Sequence, residues 1–169
     1  MNNEEMLSQI KDTILHKKLI LDSCLLLSEY FFSIGNDEIA LNLLKRASTH
    51  DISKFQKKEL MSLASIPKNA KAFKNPNTEM SEEERKHIEL HWKNNAHHPE
   101  HYEDYNDMTE IDMLEMICDL HARSIQFDTN FLEFVTTRQE NRFHFNKEQF
   151  DYIYKYCVIL NKLYEESKK

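Results

Sequence analysis

The chain has 169 residues, of which 40% are hydrophobic and 11% aromatic, and this is enough for one core and one domain. Its formal net charge of −7 argues against general binding to the phosphate backbone of nucleic acid. The single glycine, Gly35, excludes glycine-rich phosphate loops and dinucleotide fingerprints, because both need several glycines. With so few glycines and only three prolines, the composition favours an all-α fold.

The cysteines and the hydropathy pattern indicate the compartment. Cys24, Cys118 and Cys157 are widely separated and lie in apolar helical segments, which favours reduced core thiols and a cytoplasmic protein. The first residues are polar and mixed in charge, so no cleavable signal is expected. The longest apolar stretch, residues 19–32, is interrupted by acidic residues and is too short to cross a bilayer, so no membrane partner is expected.

The first predicted helix covers residues 4–33, where apolar side chains recur near the 3.6-residue period. His16 lies within it, one turn after Asp12, so the two side chains should leave the same face. Taken alone, His16 is also explained as a histidine at the helix surface or at the edge of the core.

The second predicted helix, residues 37–47, is followed by the most informative motif, His50-Asp51-Ile52-Ser53-Lys54-Phe55. An imidazole nitrogen and a carboxylate oxygen are both good ligands for a first-row metal ion, and a carboxylate can bridge two ions. Lys54 follows within one turn and can place its ammonium beside a bound anion. A hydrogen-bonded surface pair and a solvated lysine are the alternative interpretations.

The middle of the chain is predicted to contain a short helix and a long loop. The helix covers residues 55–64 and the loop residues 65–80, which contain two prolines and are long enough to form a flap over a site. Ser81 and Glu84 then have the spacing of a capping box, which begins the next helix.

Histidines are concentrated in this next helix. His91 and His98 share a face with His87 if the helix continues to Pro99, where it is expected to end. His97 would point about a quarter-turn from His98, so that one of the two is a ligand while the other hydrogen-bonds or contacts a substrate. A row of surface histidines is the alternative.

Asp119 lies in a predicted helix, residues 111–127, that is apolar around most of its circumference. It is therefore expected to be partly buried and to need an arginine, hydrogen bonds or a metal as its partner. Glu115 lies one turn before it and Arg123 one turn after it. An Asp119–Arg123 pair at the helix edge is the alternative to metal ligation.

Two C-terminal helices are predicted, one over residues 129–137 and one that begins after the N-cap Asn146. Their apolar faces are typical of packing, and no chemistry is assigned to them. The prediction is therefore one domain over residues 1–169, with a metal-ligand core at about 12–123 and packing helices at 128–166.

The candidate ligands occur in the order His16, His50-Asp51, histidines of the middle helix and Asp119. This order resembles the H…HD…H…H…D pattern of the HD-domain superfamily of metal-dependent phosphohydrolases. The strings at residues 50–55, 91–102 and 114–119 are also similar to an uncharacterised family found in bacteria and their phages. That second likeness indicates a family without indicating a substrate.

The resemblance implies an HD-domain-like helical bundle with a metal site between helices. The implied cofactors are one or two divalent transition-metal ions: Mn, Fe, Co, Ni or Zn. Two ions about 3.5–4 Å apart would polarise a phosphoryl oxygen and make hydroxide available near neutral pH. The implied ligands are His16, His50, Asp51 and Asp119 for one ion, and Asp51 as a bridge with His91 and either His98 or His97 for the other.

The function implied by the resemblance is hydrolysis of a phosphomonoester or phosphodiester, with a nucleotide as the favoured substrate. The expected partner is therefore a phosphorylated small molecule. Lys54 would offset charge that develops on the phosphate oxygens. The expected catalytic residues are Asp51, Lys54 and His97, and the expected substrate-binding residues are Lys54, His97, Asn95 and His101.

Two other functions stay open, and one narrower specificity is not implied. Residues 50–54 are similar to the HD-x-x-K form of cyclic-dinucleotide phosphodiesterases of the HD-GYP type, but no glycine-tyrosine-proline segment follows His98, so that specificity is not implied. The same ligand order resembles the HD-domain di-iron oxygenases, which cleave carbon–carbon or carbon–phosphorus bonds with dioxygen. The last is a helical module that binds a metal, a nucleotide or a protein without catalysis. The oligomeric state is left open.

Overall fold

The computed structural model describes residues 3–66 and 81–169. Across these residues the fold is all-α, without strands, which confirms the predicted fold class. Most of the predicted flap, residues 67–80, lies outside the described residues. The described helices are α1 (Asn3–Ser33), α2 (Asp37–Thr49), α3 (Lys57–Ala64), α4 (Glu82–Asn94), α5 (Glu110–Gln126), α6 (Phe131–Asn141) and α7 (Lys147–Ser167).

Local capping signals account for where several helices begin. The Ser81 side chain accepts from the Glu84 amide while the Glu84 side chain accepts from the Ser81 amide, which confirms the predicted capping box. The Thr109 hydroxyl caps α5 and the Asn146 side chain caps α7, both as predicted. Gly35 has a φ of +75°, a left-handed conformation that suits glycine at the turn between α1 and α2.

The helix that carries the histidines is shorter than predicted. Helix α4 ends at Asn94 rather than at Pro99, and Asn95 is extended, with φ −132° and ψ 108°. The Asn95 amide donates to the His91 carbonyl at 2.7 Å and thereby competes with continued helical hydrogen bonding. His98 therefore lies beyond the helix, and the prediction that it shares a helix face with His91 is wrong.

The core is built around α5, which packs against α1, α2, α6 and α7. Leu114 and Ile117 of this helix are fully buried, as are Ile20 and Leu27 of α1. All three cysteines are free and fully buried, as predicted. Because α5 is covered on nearly every side, Asp112, Glu115 and Asp119 on it are held in the interior next to α1 and α2.

Within the described parts of the chain, no helix combines the length and the hydropathy needed to cross a bilayer. Helix α1 is long enough at 31 residues, but its sequence is interrupted by charged side chains along its length.

Candidate metal centre

Asp51 lies at the centre of the site, at the turn where α2 ends and a short 3-10 helix, Ile52–Phe55, begins. Its φ of 57° and ψ of 19° are left-handed, a conformation that is uncommon outside glycine but tolerated by aspartate. The side chain is 1% exposed. This turn places a carboxylate in the interior of the protein directly after His50.

Four imidazoles surround the Asp51 carboxylate, two on each oxygen. The Nε2 atoms of His50 and His16 lie 3.4 and 3.9 Å from Oδ2. The Nε2 atoms of His91 and His97 lie 3.4 and 3.6 Å from Oδ1. This division is the one expected of a carboxylate that bridges two ions, each with its own histidines.

Two further residues complete the groups around Asp51. Asp119 of α5 places its Oδ1 atom 2.8 Å from Nε2 of His16, on the Oδ2 side. His98 places its Nε2 atom 2.8 Å from Nε2 of His91, on the Oδ1 side. The residues gathered in this ligand cluster are His16, His50, Asp51, His91, His97, His98 and Asp119.

Several of these buried atoms have no hydrogen-bond partner among the described residues. An unpaired polar atom in the interior costs roughly 1–3 kcal/mol. With metal bonds of roughly 2.0–2.2 Å, two neighbouring ligands of one ion lie about 3 Å apart, close to the spacings found here. The donor types and their unpaired state therefore fit a transition-metal ion. The unpaired atoms are both ring nitrogens of His16, Nε2 of His50 and His97, and the Oδ1 atoms of Asp51 and Asp119.

Two carboxylates outside the ligand cluster fix the orientation of its imidazoles. Oε1 of Glu115 lies 2.8 Å from Nδ1 of His50 and 3.4 Å from Nδ1 of His97. Oε1 of Glu59 lies 2.7 Å from Nδ1 of His91. A proton held on each Nδ1 leaves the Nε2 lone pair available toward Asp51, as metal ligation requires.

These carboxylates are themselves held by further contacts. The Arg46 side chain donates to both Glu115 and Asp112. Glu59 accepts from the Asn94 amide and the Ser53 hydroxyl, both at 2.9 Å. In the sequence, Glu115 is marked only by its position one turn before Asp119 on an apolar helix. Nothing in the sequence of α3 distinguishes Glu59 from a solvated residue.

Burial keeps most of the histidine ligands neutral. It lowers the pKa of His16 to about 3, with the Arg123 charge contributing. It lowers the pKa of His91 to about 4, with the Lys54 charge contributing, and the pKa of His98 well below its usual range beside His97. Neutral imidazole is the form that binds metal.

The carboxylates of the ligand cluster are ionised. Burial alone would raise the pKa of Asp51, but the charges of His50 and Lys54 hold it well below its usual range. The pKa of Asp119 is likewise lowered, against the effect of burial, by its contact with His16. His50 is the exception among the rings: burial lowers its pKa, but Asp51 and Glu115 overcome this and raise the pKa to about 10.

Two cavities adjoin the ligand cluster. A polar cleft of about 350 Å³ is lined by His50, Asp51 and His97. A second cavity of about 100 Å³ is lined by residues of both signs and by aromatic rings. Its ligand-cluster residues are His91, His98 and Asp119. Residues of both groups around Asp51 therefore line a space that can hold a small molecule.

Lys54 is buried, 6% exposed, and donates from Nζ to Oδ2 of Asp51. It also lines the smaller cavity. The structure therefore places this lysine beside the Asp51 carboxylate and excludes the solvated alternative, while its contact with a bound anion stays a prediction.

The structure brings together some predicted substrate-binding residues and not others. His97 and His98 both belong to the ligand cluster, so the structure does not single out one of them as the ligand and the other as a substrate-binding residue. Asn95 lines the polar cleft, where its amide donates to Ser53. His101 is exposed, contacts the Lys93 carbonyl and lines neither cavity, because the chain turns outward after Pro99.

The alternative for Asp119, an ion pair with Arg123, is only a minor contact. The Arg123 Nε atom lies 3.8 Å from Oδ1 of Asp119, whereas Nε2 of His16 lies 2.8 Å from the same oxygen. Asp12 is exposed, so it is not among the groups that orient His16.

Comparison with known proteins identifies the family and leaves the activity open. No curated protein and no solved structure matches the chain. One family model, described as a family of unknown function, DUF5662, matches residues 5–162. That match covers nearly the whole chain and every residue of the ligand cluster. The chain therefore belongs to the DUF5662 family.

Proposed function

We propose that the protein is a metal-dependent phosphohydrolase that acts on a phosphomonoester or phosphodiester, in particular a nucleotide. The observation that carries this proposal is the division of buried imidazole and carboxylate groups into two groups around Asp51, with several of their atoms unpaired among the described residues. Such a division fits two ions that share one carboxylate, the arrangement used in many phosphatases and nucleases.

The two groups of the ligand cluster would have matching roles. On the Oδ2 side of Asp51, His16, His50 and Asp119 would hold one ion. On the Oδ1 side, the second ion would be held by His91, His97 and His98. A bound divalent ion lowers the pKa of a water molecule, which supplies a nucleophile near neutral pH, and polarises a phosphoryl oxygen.

Lys54 would stabilise the charge of the phosphoryl group. Its ammonium is buried beside Asp51, so it acts in a region where water does not screen the charge effectively. Because a preorganised cation needs no rearrangement when charge develops on the phosphate oxygens, it favours the transition state over the bound substrate.

Glu115 and Glu59 would act as positioning residues. Each holds the Nδ1 side of at least one ligand imidazole and so fixes which ring nitrogen faces the ions. Arg46 keeps Glu115 in place and balances its charge. These residues touch the ligands and not the reacting phosphate.

The proposal is tested with purified protein loaded separately with Mn, Fe, Co, Ni or Zn. Metal content is measured, and the release of phosphate or nucleoside is measured across a panel of nucleotides, phosphomonoesters and phosphodiesters. We expect turnover with at least one metal, and a loss of at least about a thousandfold for Asp51→Asn. Asp22→Asn, an exposed position on α1, is the matched control and should retain full activity.

Two results would contradict the proposal. One is a folded, metal-loaded protein that releases neither phosphate nor nucleoside from any member of the panel. The other is iron as the bound metal together with substrate-dependent oxygen uptake, which would assign the same ligand cluster to an oxygenase. A folded protein that binds none of the five metals would remove the basis for either enzyme.

A further inference from the structure

The smaller cavity beside the ligand cluster contains most of the positive charge near the site. Among the residues that the structure describes, three arginines and a lysine line it, against one acidic residue, Asp119. This local excess occurs in a chain whose net charge is −7, so it is not a consequence of overall composition. The lining cations are Lys54, Arg123, Arg138 and Arg142.

Two of these arginines retain unused hydrogen-bond donors. Arg138 forms no ion pair with any residue the structure describes, and its Nε atom is buried without a partner there. Arg142 pairs with Glu100 through Nε at 2.5 Å, yet one Nη atom is buried and unpaired among the same residues. Buried guanidinium donors without acceptors are costly, and an oxyanion would satisfy them.

Aromatic rings hold both guanidinium groups in place. The Arg142 guanidinium lies 5.0 Å from the centroid of Trp92, and that of Arg138 lies 5.0 Å from the centroid of Phe134. Stacking of this kind limits the rotamers of a long side chain, so less entropy is lost when a ligand binds. Burial together with the Arg142 charge lowers the pKa of Arg138 to about 10, and the charges of Glu100 and Asp119 offset this only in part.

The size of the cavity limits what it can hold. A buried water molecule needs roughly 10–15 Å³ of such space, and the cavity provides about 100 Å³. This is room for one phosphate-sized anion or several water molecules, and not for a whole nucleotide. His91, His98 and Asp119 of the ligand cluster line this cavity together with Arg138 and Arg142.

We infer that this cavity binds the phosphoryl group of the substrate, with Arg138 and Arg142 donating to its oxygens beside the ligand-cluster residues that line the same cavity. The planar fork of arginine matches two oxygens of a phosphate, and two forks suit a tetrahedral anion. The inference rests on the proposed function and extends it. It assigns the phosphate to the smaller cavity and names Arg138 and Arg142 as the residues that recognise it.

The test measures binding rather than turnover. Inorganic phosphate is titrated into the full-length protein by calorimetry, both metal-loaded and after treatment with a chelator. Arg138→Met keeps the length and the apolar stem of the side chain, and Arg85→Met, at an exposed position on α4 that lines neither cavity, is the matched control. We expect at least about tenfold weaker phosphate binding for Arg138→Met in both states and less than twofold change for the control.

Two measurements keep the test independent of any folding defect in Arg138→Met. Arg138→Lys keeps the charge without the fork, and we expect it to bind phosphate with intermediate affinity. In the unmodified protein, phosphate should protect Arg138 and Arg142 from labelling by phenylglyoxal, as read by peptide mass spectrometry, while Arg85 stays reactive. Labelling of Arg138 that is insensitive to phosphate would overturn the inference.

The outcomes separate this inference from the proposed function. If Arg138→Met binds phosphate as well as the unmodified protein does, the cavity is not the phosphate site, even if hydrolysis is observed. If acetate binds as tightly as phosphate, the assignment to phosphate is wrong. If phosphate binding depends on Arg138 but no substrate is hydrolysed, the cavity is an anion site and the proposed hydrolase function fails instead.

Discussion

The Nε2 atom of His16 and the Oδ1 atom of Asp119 lie 2.8 Å apart where α1 passes α5, and neither forms a well-aligned hydrogen bond with a described residue. Two atoms at this distance that do not hydrogen-bond to each other can both be ligands of one ion placed between them. The first and the last predicted ligands in the chain therefore meet at one point, and the packing of α1 against α5 keeps them there.

Metal binding should raise the thermal stability of the protein, because an ion satisfies buried atoms that are otherwise unpaired. At a free metal concentration about one hundred times Kd, the gain is about 2.7 kcal/mol, which corresponds to a rise in Tm of roughly 5–10 °C for a chain of this length. Differential scanning calorimetry with and without chelator measures this shift.

The control for this prediction compares two histidines. His16→Gln, in the ligand cluster, should lose most of the rise in Tm, whereas His101→Gln, exposed and outside both cavities, should retain it. An equal rise in Tm for the two variants would mean that the ion binds elsewhere on the protein.

Much of the fold could be predicted because helix boundaries depend on local signals. The capping residues Ser81, Thr109 and Asn146 each act within one turn, so the sequence pattern predicts them without knowledge of the packing. The end of α4 could not be predicted in this way. It depends on Asn95, whose amide donates to the remote Ser53 as well as to its own helix.

The candidate site was predictable only in part for the same reason. The His50-Asp51 pair and Asp119 are marked by residue type and by an apolar setting, which the sequence displays. Glu59, Arg138 and the unpaired donors of the smaller cavity acquire their significance from tertiary contacts alone. Their sequence context resembles that of any amphipathic helix, so no local pattern distinguishes them.

Glu115→Gln should weaken metal binding by about ten- to a hundredfold without preventing folding. The carboxylate contacts both His50 and His97 and accepts from Arg46. An amide has only one acceptor oxygen, so its NH₂ group would either face the guanidinium, which is also a donor, or replace an acceptor that now contacts an imidazole. Competition with a metallochromic indicator measures the affinity. Glu89→Gln, exposed on α4, is the control, and equal affinities for the two variants would contradict the positioning role.

Glu59→Gln should affect one ion and leave the other in place. Glu59 contacts His91 on the Oδ1 side of Asp51, whereas His16 and His50 lie on the Oδ2 side. If the protein binds two ions, we expect elemental analysis at limiting free metal to show close to two per chain for the unmodified protein and close to one for the variant. Loss of both ions together would show that the two groups do not bind independently.

Lys54→Met should lower activity while metal content is preserved. The ammonium is buried, donates to Asp51 and lines the smaller cavity, so its removal takes a positive charge from the region where the phosphoryl group is expected. Loss of one preorganised charge of this kind typically lowers kcat by about 100- to 1,000-fold.

The matched control is Lys57→Met, an exposed lysine at the start of α3, which should leave kcat unchanged. Steady-state kinetics on the best substrate of the panel, together with elemental analysis of both variants, separates charge stabilisation from metal loss. A fall in activity that matches a fall in metal content would assign Lys54 to the support of Asp51. Because Lys54 contacts Asp51 and also lines the cavity, only a loss in kcat at full metal content assigns it to the phosphate.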